Sequence, residues 1–167
     1  AEQAMGFTPD QTITLILVVN VAAAAGAWGF GWVHDRLGGV PTVAMTLVGW
    51  LVAIAVAYFA QTPGPFWVAA FLVGIAMGSS QSSGRALVAL FSPAGKEGEM
   101  FGLWGVAVKV AGIIGPLTYG GLNWVTGGDH RVALLSTAAF FLAGLLLLLG
   151  VDERRGRAAI AARNGGD

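Results

Sequence analysis

Apolar residues dominate five long runs along the chain, approximately 11–33, 41–60, 65–91, 98–125 and 132–151. Turn-forming clusters separate them: RLGGVP, QTPGP, SPAGKEGE and TGGDHR, each rich in Gly, Pro or charge. A helix of about 20 apolar residues crosses the hydrocarbon core of a bilayer, which is about 30 Å thick. Length and the Ala, Leu and Gly content favour helices over strands, and lipid offers no partner to an unpaired backbone group. The pattern predicts an all-α, polytopic membrane protein with about five transmembrane helices over residues 1–151. A basic tail at 152–167 follows the last run.

Composition agrees with lipid as the main solvent. Hydrophobic residues make up 56% of the chain and charged ones 11%, against about 25% charged in a soluble domain, and mean hydropathy is +0.73. There is no Cys, so neither a disulfide framework nor a thiolate metal site is available. Net charge is zero and no basic patch points to nucleic acid. The polar opening AEQAMGFTPDQ has no initiator Met and no signal-peptide pattern, and the chain reads as a piece of something longer.

Lys and Arg give an orientation. With the amino end outside, the inner connections hold Arg36, Arg85, Lys96 and the tail cluster Arg154, Arg155, Arg157 and Arg163, while the outer side holds only Arg131. Positive charge collects on the cytoplasmic side, so the amino end is expected outside and the carboxyl end in the cytoplasm, in a membrane of the bacterial inner type. The stretch GWVHDRLGG then forms a short cytoplasmic loop.

That loop carries a more specific pattern. Gly31, Asp35, Arg36 and Gly38 fit G-x-x-x-D-R-x-G, which resembles the signature loop joining the second and third helices of each half in the major facilitator superfamily. The two basic residues that usually follow are replaced by Gly39 and Val40. Gly31 would let two helices approach, Gly38 would take a positive φ at a helix end, and Asp35 would cap or pair across the loop. An ordinary inside turn with a surface ion pair is the plainer alternative. Residues 77–121, with Gln81, Ser83, Arg85, Pro93, Glu99, Phe101, Gly102, Lys109, Gly115, Pro116 and Gly120, are similar to the fourth and fifth helices of a second half in the vacuolar effluxer-like branch. The FF at 140–141 and the VDE at 151–153 also fit. The resemblance implies a partial second half, helices eight to twelve of a twelve-helix transporter, and a function in amino-acid efflux of the kind that names the branch.

Polar residues within the spans point the same way without the family. Helix rise puts Lys109 about 16 Å and Gln81 about 15 Å from the inner ends of their spans, and Asn20 about 14 Å from the outer end of its own. All three fall near the midplane, where secondary transporters place substrate. An intramembrane Lys costs about 2.5–3.5 kcal/mol on insertion scales and should face a cavity or a partner. Lys109, Gln81 and Asn20 are therefore the substrate-path candidates, with a buried structural role as the alternative for Lys109 and helix-to-helix bonding for Asn20. Gly105, Lys109, Gly112 and Pro116 share one helix face, and Gly74, Gly78, Gln81 and Arg85 repeat that spacing; their glycines read as packing. Arg85 and Glu99 either pair at the inner surface or Arg85 snorkels to it. Trp28, Trp32, Trp67, Trp104 and Trp124 lie toward span ends as interfacial anchors.

The leading function is therefore a fragment of a secondary transporter that moves a small polar solute, such as an amino acid, by alternating access. Its partners are the lipid bilayer, that solute, and the missing first half or another membrane chain. A non-transporting half-transporter, kept as an accessory subunit and dimerising through its small-residue faces, is the alternative; no Asp or Glu lies well inside a span. No nucleophile motif or phosphate-binding glycine loop is present, and His34 and His130 fall on opposite membrane faces, so neither catalysis, cofactor nor metal is expected.

Overall fold

The computed structural model describes residues 8–60 and 62–164, with side chains as far as residue 162. Six helices follow one another: α1 Pro9–Leu37, α2 Gly39–Phe59, α3 Pro63–Leu90, α4 Glu97–Val125, α5 His130–Leu148 and α6 Glu153–Asn164. The first five are long and apolar enough to cross a membrane. Three of them exceed the minimum spanning length by about two turns, so their ends project beyond the apolar core.

Local chemistry sets most of the boundaries. α1 opens with a capping box: the Gln11 N–H donates to Thr8 Oγ1 at 3.3 Å, and the Thr8 N–H donates to Gln11 Oε1 at 3.0 Å. Pro9 and Pro63 occupy first-turn positions of α1 and α3, where a missing N–H costs nothing. Asp129 caps α5 by accepting from the Arg131 N–H at 2.9 Å. One sequence expectation needs correction here. The loop expected over GWVHDRLGG is helical up to Leu37, and Gly38 alone, at φ 90° and ψ 176°, separates α1 from α2. The residues before Gly38 include no helix breaker except Gly31, so the helix runs on until a residue that tolerates φ > 0 ends it. Beyond the last span, α5 stops at Leu148, and residues 153–164 of the tail form the separate helix α6.

The interior is built from small side chains. A Cβ on Gly26 of α1 would sit 2.5 Å from the Ile75 carbonyl oxygen of α3, one on Gly74 would sit 2.5 Å from the Val19 carbonyl oxygen, and one on Gly78 would collide with the Ala23 backbone. These two helices therefore meet backbone to backbone. Ala22 meets Gly74 in that contact, Ala76 faces Gly49 of α2, and both are at most 3% exposed, as are Ser79 and Ser83. α2 lies along α3 with Thr42 and Thr46 buried. Their hydroxyls are satisfied by their own helix, donating to the Gly38 and Val43 carbonyls at 2.6 and 2.8 Å. Trp50 of α2 ties three helices: its Nε1 donates to Ser80 Oγ of α3 at 2.9 Å, and its ring stacks on Phe141 of α5 with centroids 4.8 Å apart.

Large apolar residues turn outward instead. Trp28 is 86% exposed, Trp124 85% and Leu147 77%. Small and hydroxylated inside with bulky and apolar outside reverses a soluble core, and suits a bundle whose surroundings are lipid. α4 lies at the edge and has no buried residue. Gly105 and Gly112, expected to be packing positions, have nothing within 4 Å of an added Cβ. Their face of α4 meets no other described helix.

These contacts separate two kinds of glycine. Gly78→Ala must force α1 and α3 apart and should cost about 1–3 kcal/mol. Gly112→Ala gains a methyl in open space and should change stability by no more than about 0.5 kcal/mol. Denaturation of the purified chain in detergent micelles reads both; equal effects would refute the close contact.

Candidate functional site at mid-membrane and the α1–α2 turn

Two places concentrate polar side chains. At mid-span, Asn20, Gln81 and Lys109 are all exposed on the bundle surface. Asn20 bonds to its own helix, its Nδ2 donating to the Ile16 carbonyl at 2.8 Å. The α1 residues that meet the α3 backbone or its glycines are Val19, Ala22, Ala23 and Gly26, and Asn20 lies exposed beside them. The α3 stripe divides: Gly74 and Gly78 press on α1, whereas Gln81 and Arg85 emerge at its edge. Lys109 projects from the unpacked face of α4. Its stripe partner Pro116 lies within an α4 that continues through it to Val125.

Arg85 does not pair with Glu99. Its guanidinium lies over the Trp104 ring at 5.6 Å from the centroid, and Glu99 faces Lys96 at 3.8 Å. Lys96 is three residues away on the same turn, so the local partner wins. The Arg85 position over an aromatic face is a cation–π contact between α3 and α4.

The second concentration surrounds Gly38. Arg36 stacks over Trp32, 3.4 Å from the ring centroid. Gly31 does not mediate a helix contact, because nothing lies within 4 Å of its Cβ direction; Gly26, on a different face of α1, does. Asp35 forms no ion pair among the described residues. The capping role falls to a residue far along the chain. Glu153, at the start of α6, accepts from the Val40 N–H at 2.8 Å, which satisfies one of the first amides of α2. Arg157, one turn on, holds the same carboxylate, its Nε donating to Glu153 Oε1 at 3.0 Å. A Cβ on Gly38 would lie 3.0 Å from that oxygen, a tight contact, and would sit on a backbone whose φ of 90° favours Gly. Gly156 of α6 rests on the Phe91 ring of α3, which fixes the tail helix at a second point.

Electrostatics follow from this geometry. Burial pushes the Glu153 carboxyl up, but the Val40 amide, Arg157 and the Gly39 amide pull it down, and the net effect is a value below the ordinary 4.5. The helix N-terminus adds to the attraction for a negative charge. Glu153 and Arg157 were not singled out as site residues from the sequence. The signal available was an acidic residue directly after the last apolar run, with Arg four residues on. Arg163 of the tail cluster lies outside the residues whose side chains are described.

At the far end of the bundle, Tyr119 Oη and His130 Nδ1 are 3.3 Å apart across α4 and α5, and Arg131 lies over Tyr58 of α2. No group of three or more metal-ligating side chains occurs among the described residues.

Comparison with known proteins places this architecture. The chain matches the vacuole effluxer Atg22-like family over residues 1–161. It belongs to that family. Within the Atg22-like family and the wider major facilitator group, it is 28% identical over 149 residues to an uncharacterized MFS-type transporter, YxiO, of Bacillus subtilis, covering 89% of this chain and 35% of the relative. The MFS transporter asaE of Aspergillus flavus is 27% identical over 147 residues, 87% of this chain and 33% of the relative. Autophagy-related protein 22 of Kluyveromyces lactis is 33% identical over 86 residues, 50% of this chain and 17% of the relative. The chain thus spans about a third of the first two relatives' length. No solved structure gives a significant match. The Atg22-like chain is therefore a membrane-spanning segment related to transporters of the major facilitator superfamily.

The Glu153 contact predicts a pH and mutation response in this segment. Because the folded pKa is depressed, the stabilisation is fully present above about the ordinary carboxylate value of 4.5 and is lost as pH falls through the lower folded value. Glu153→Ala should remove a cap worth about 1 kcal/mol, lowering hydrogen-exchange protection of the Val40 amide roughly fivefold at neutral pH, after correction for intrinsic exchange.

Proposed function

We propose that the chain forms the carboxyl-terminal part of a secondary transporter that moves a small polar solute, an amino acid being the leading class, by alternating access. The observation that carries this reading is the exposure of Lys109, Gln81 and Asn20 on three different spanning helices near mid-depth. A Lys left in lipid at that depth costs about 2.5–3.5 kcal/mol. The cost disappears if the unpacked face of α4 borders a water-filled path shared with the remainder of a longer transporter. The relatives' additional length supplies room for such a partner half, and a central site between two halves is where transporters of this architecture hold substrate.

In this reading Lys109 attracts the carboxylate or another anionic group of the solute, and Gln81 supplies an amide that both donates and accepts. Asn20 borders the path from α1. The distribution of Arg and Lys supports a cytoplasmic position for the Gly38 turn and α6, with the amino end outside a plasma membrane. The family's name and the relatives' names support transport as the activity.

Uptake of a panel of radiolabelled amino acids tests the reading, using membrane vesicles that carry the polypeptide as it occurs natively. Lys109→Gln should lower uptake of the transported solute at least about tenfold at unchanged protein level, equivalent to about 1.4 kcal/mol of lost interaction. Undiminished transport by this variant would remove Lys109 from the path and the proposal with it.

A further inference from the structure

Where α3 meets α4, one cation has no part in the transport reading so far. Arg85 lies one helical turn from Gln81 toward the Leu90 end of α3, on the same exposed edge. Helix rise puts it about 9 Å from Phe91, against about 15 Å for Gln81. On α4, Trp104 lies about 9 Å from Gly98 and Lys109 about 16 Å. The edge shared by the two helices therefore has two levels, Arg85 with Trp104 nearer the helix ends and Gln81 with Lys109 at mid-depth.

Arg85 has no carboxylate partner among the described residues. α3 contains no acid, and α4 contains none beyond Glu99, which faces Lys96. The Arg85 guanidinium is held instead over the Trp104 ring, 5.6 Å from the centroid. A ring face attracts a cation through its quadrupole and takes up none of its N–H donors as a carboxylate would. Gly84 opens this meeting: a Cβ there would lie 3.8 Å from Trp104 Nε1, so the indole edge rests beside α3 with no side chain between them. The result is an exposed guanidinium, fixed in position, whose fork still has donors to offer an anion.

We infer that Arg85, positioned by Trp104, is a second binding station for the carboxylate of the transported solute, on the cytoplasmic side of the Lys109–Gln81 level. The inference rests on the transport reading and deepens it. An Arg fork matches a carboxylate with parallel hydrogen bonds, whereas the Lys109 ammonium offers a point charge. Two cations at two depths, with no acid on α3 or on α4 beyond Glu99, attract one kind of group throughout. The solute class is therefore one that carries a carboxylate. An amine without a carboxylate meets like charge at both levels and is rejected.

Membrane vesicles of both orientations test it, carrying the polypeptide as it occurs natively and supplied with a radiolabelled mixture of the common amino acids. Arg85→Gln should raise the apparent KM at the cytoplasmic face about tenfold, through loss of a charge-assisted pair, and move the value at the outer face by less than about twofold. Arg85→Lys keeps the charge and the ring contact, so it should fold as the wild type does and raise the cytoplasmic KM about threefold for want of the fork. Ethylamine and isobutylamine, which lack a carboxylate, should not compete. Equal shifts at both faces, as loss of a merely structural α3–α4 contact would give, or no shift in either variant, would overturn the inference while leaving transport in place. Competition by the amines would do the same. Absence of uptake by the wild type would remove the transport reading and this inference with it.

Discussion

The backbone contact between α1 and α3 is the constraint from which the rest of the bundle follows. Helices usually pack 8–10 Å apart at a distance set by their side chains, and Gly26, Gly74 and Gly78 remove those side chains where the two helices meet. Lipid tails are as apolar as Leu, so burying large hydrocarbons gains little in a bilayer, and close approach of two backbones gains dispersion contacts instead. Apart from Ile54, the buried set among the described residues is accordingly Gly, Ala, Ser and Thr. Each buried hydroxyl then needs a partner in a dry interior, and Thr42, Thr46 and Ser79 find one on their own helix. Ser83 Oγ is buried without a partner among the described residues.

Around this contact the helices differ in how completely they are covered. α2 and α3 contribute most of the buried positions, whereas α4 contributes none. A helix with Lys109 at its middle and glycines that touch nothing is an incomplete packing unit. The small residues along Gly105, Gly112 and Pro116 present a surface that another helix could approach closely. The chain spans about a third of the length of the two transporter relatives, and the partner half proposed above would cover the open side of α4.

Much of this was legible in the sequence. The five spanning helices were visible because lipid demands a length and an apolarity that few other structures need, and their observed limits differ from the apolar runs by at most four residues at either end. The exposure of Lys109 follows from its charge, since no described neighbour offers a counter-charge at mid-depth. The turn at Gly38 was visible as a break but not as a single residue, because a Gly-Gly pair marks a boundary without giving its length. Gly31 and Gly26 could not be told apart as packing positions, since helical phase relative to α3 is a tertiary quantity. The Arg85–Glu99 pairing failed for a local reason: Lys96 is nearer to Glu99 in sequence, and Arg85 met an aromatic face.

The contact between Glu153 and Val40 was the least legible, because 113 residues separate its partners, and no local pattern encodes it. Its physical logic is nonetheless compact. Ending α1 at Gly38 and starting α2 at once leaves the first amides of α2 without helical acceptors, and no side chain of the turn accepts from them. A carboxylate is the best available acceptor at a helix N-terminus, because it meets both the amides and the positive end of the helix dipole. Burying that carboxylate in turn demands a cation, which Arg157 supplies from the next turn of α6. A Cβ at position 38 would crowd the Glu153 carboxylate at 3.0 Å, so the short turn, the glycine and the distant acid fit together. Displacement of α6 from the turn would leave Glu153 with Arg157 of its own helix but would strip the Val40 amide of its acceptor, which makes the docked tail helix the closure of that end of the bundle.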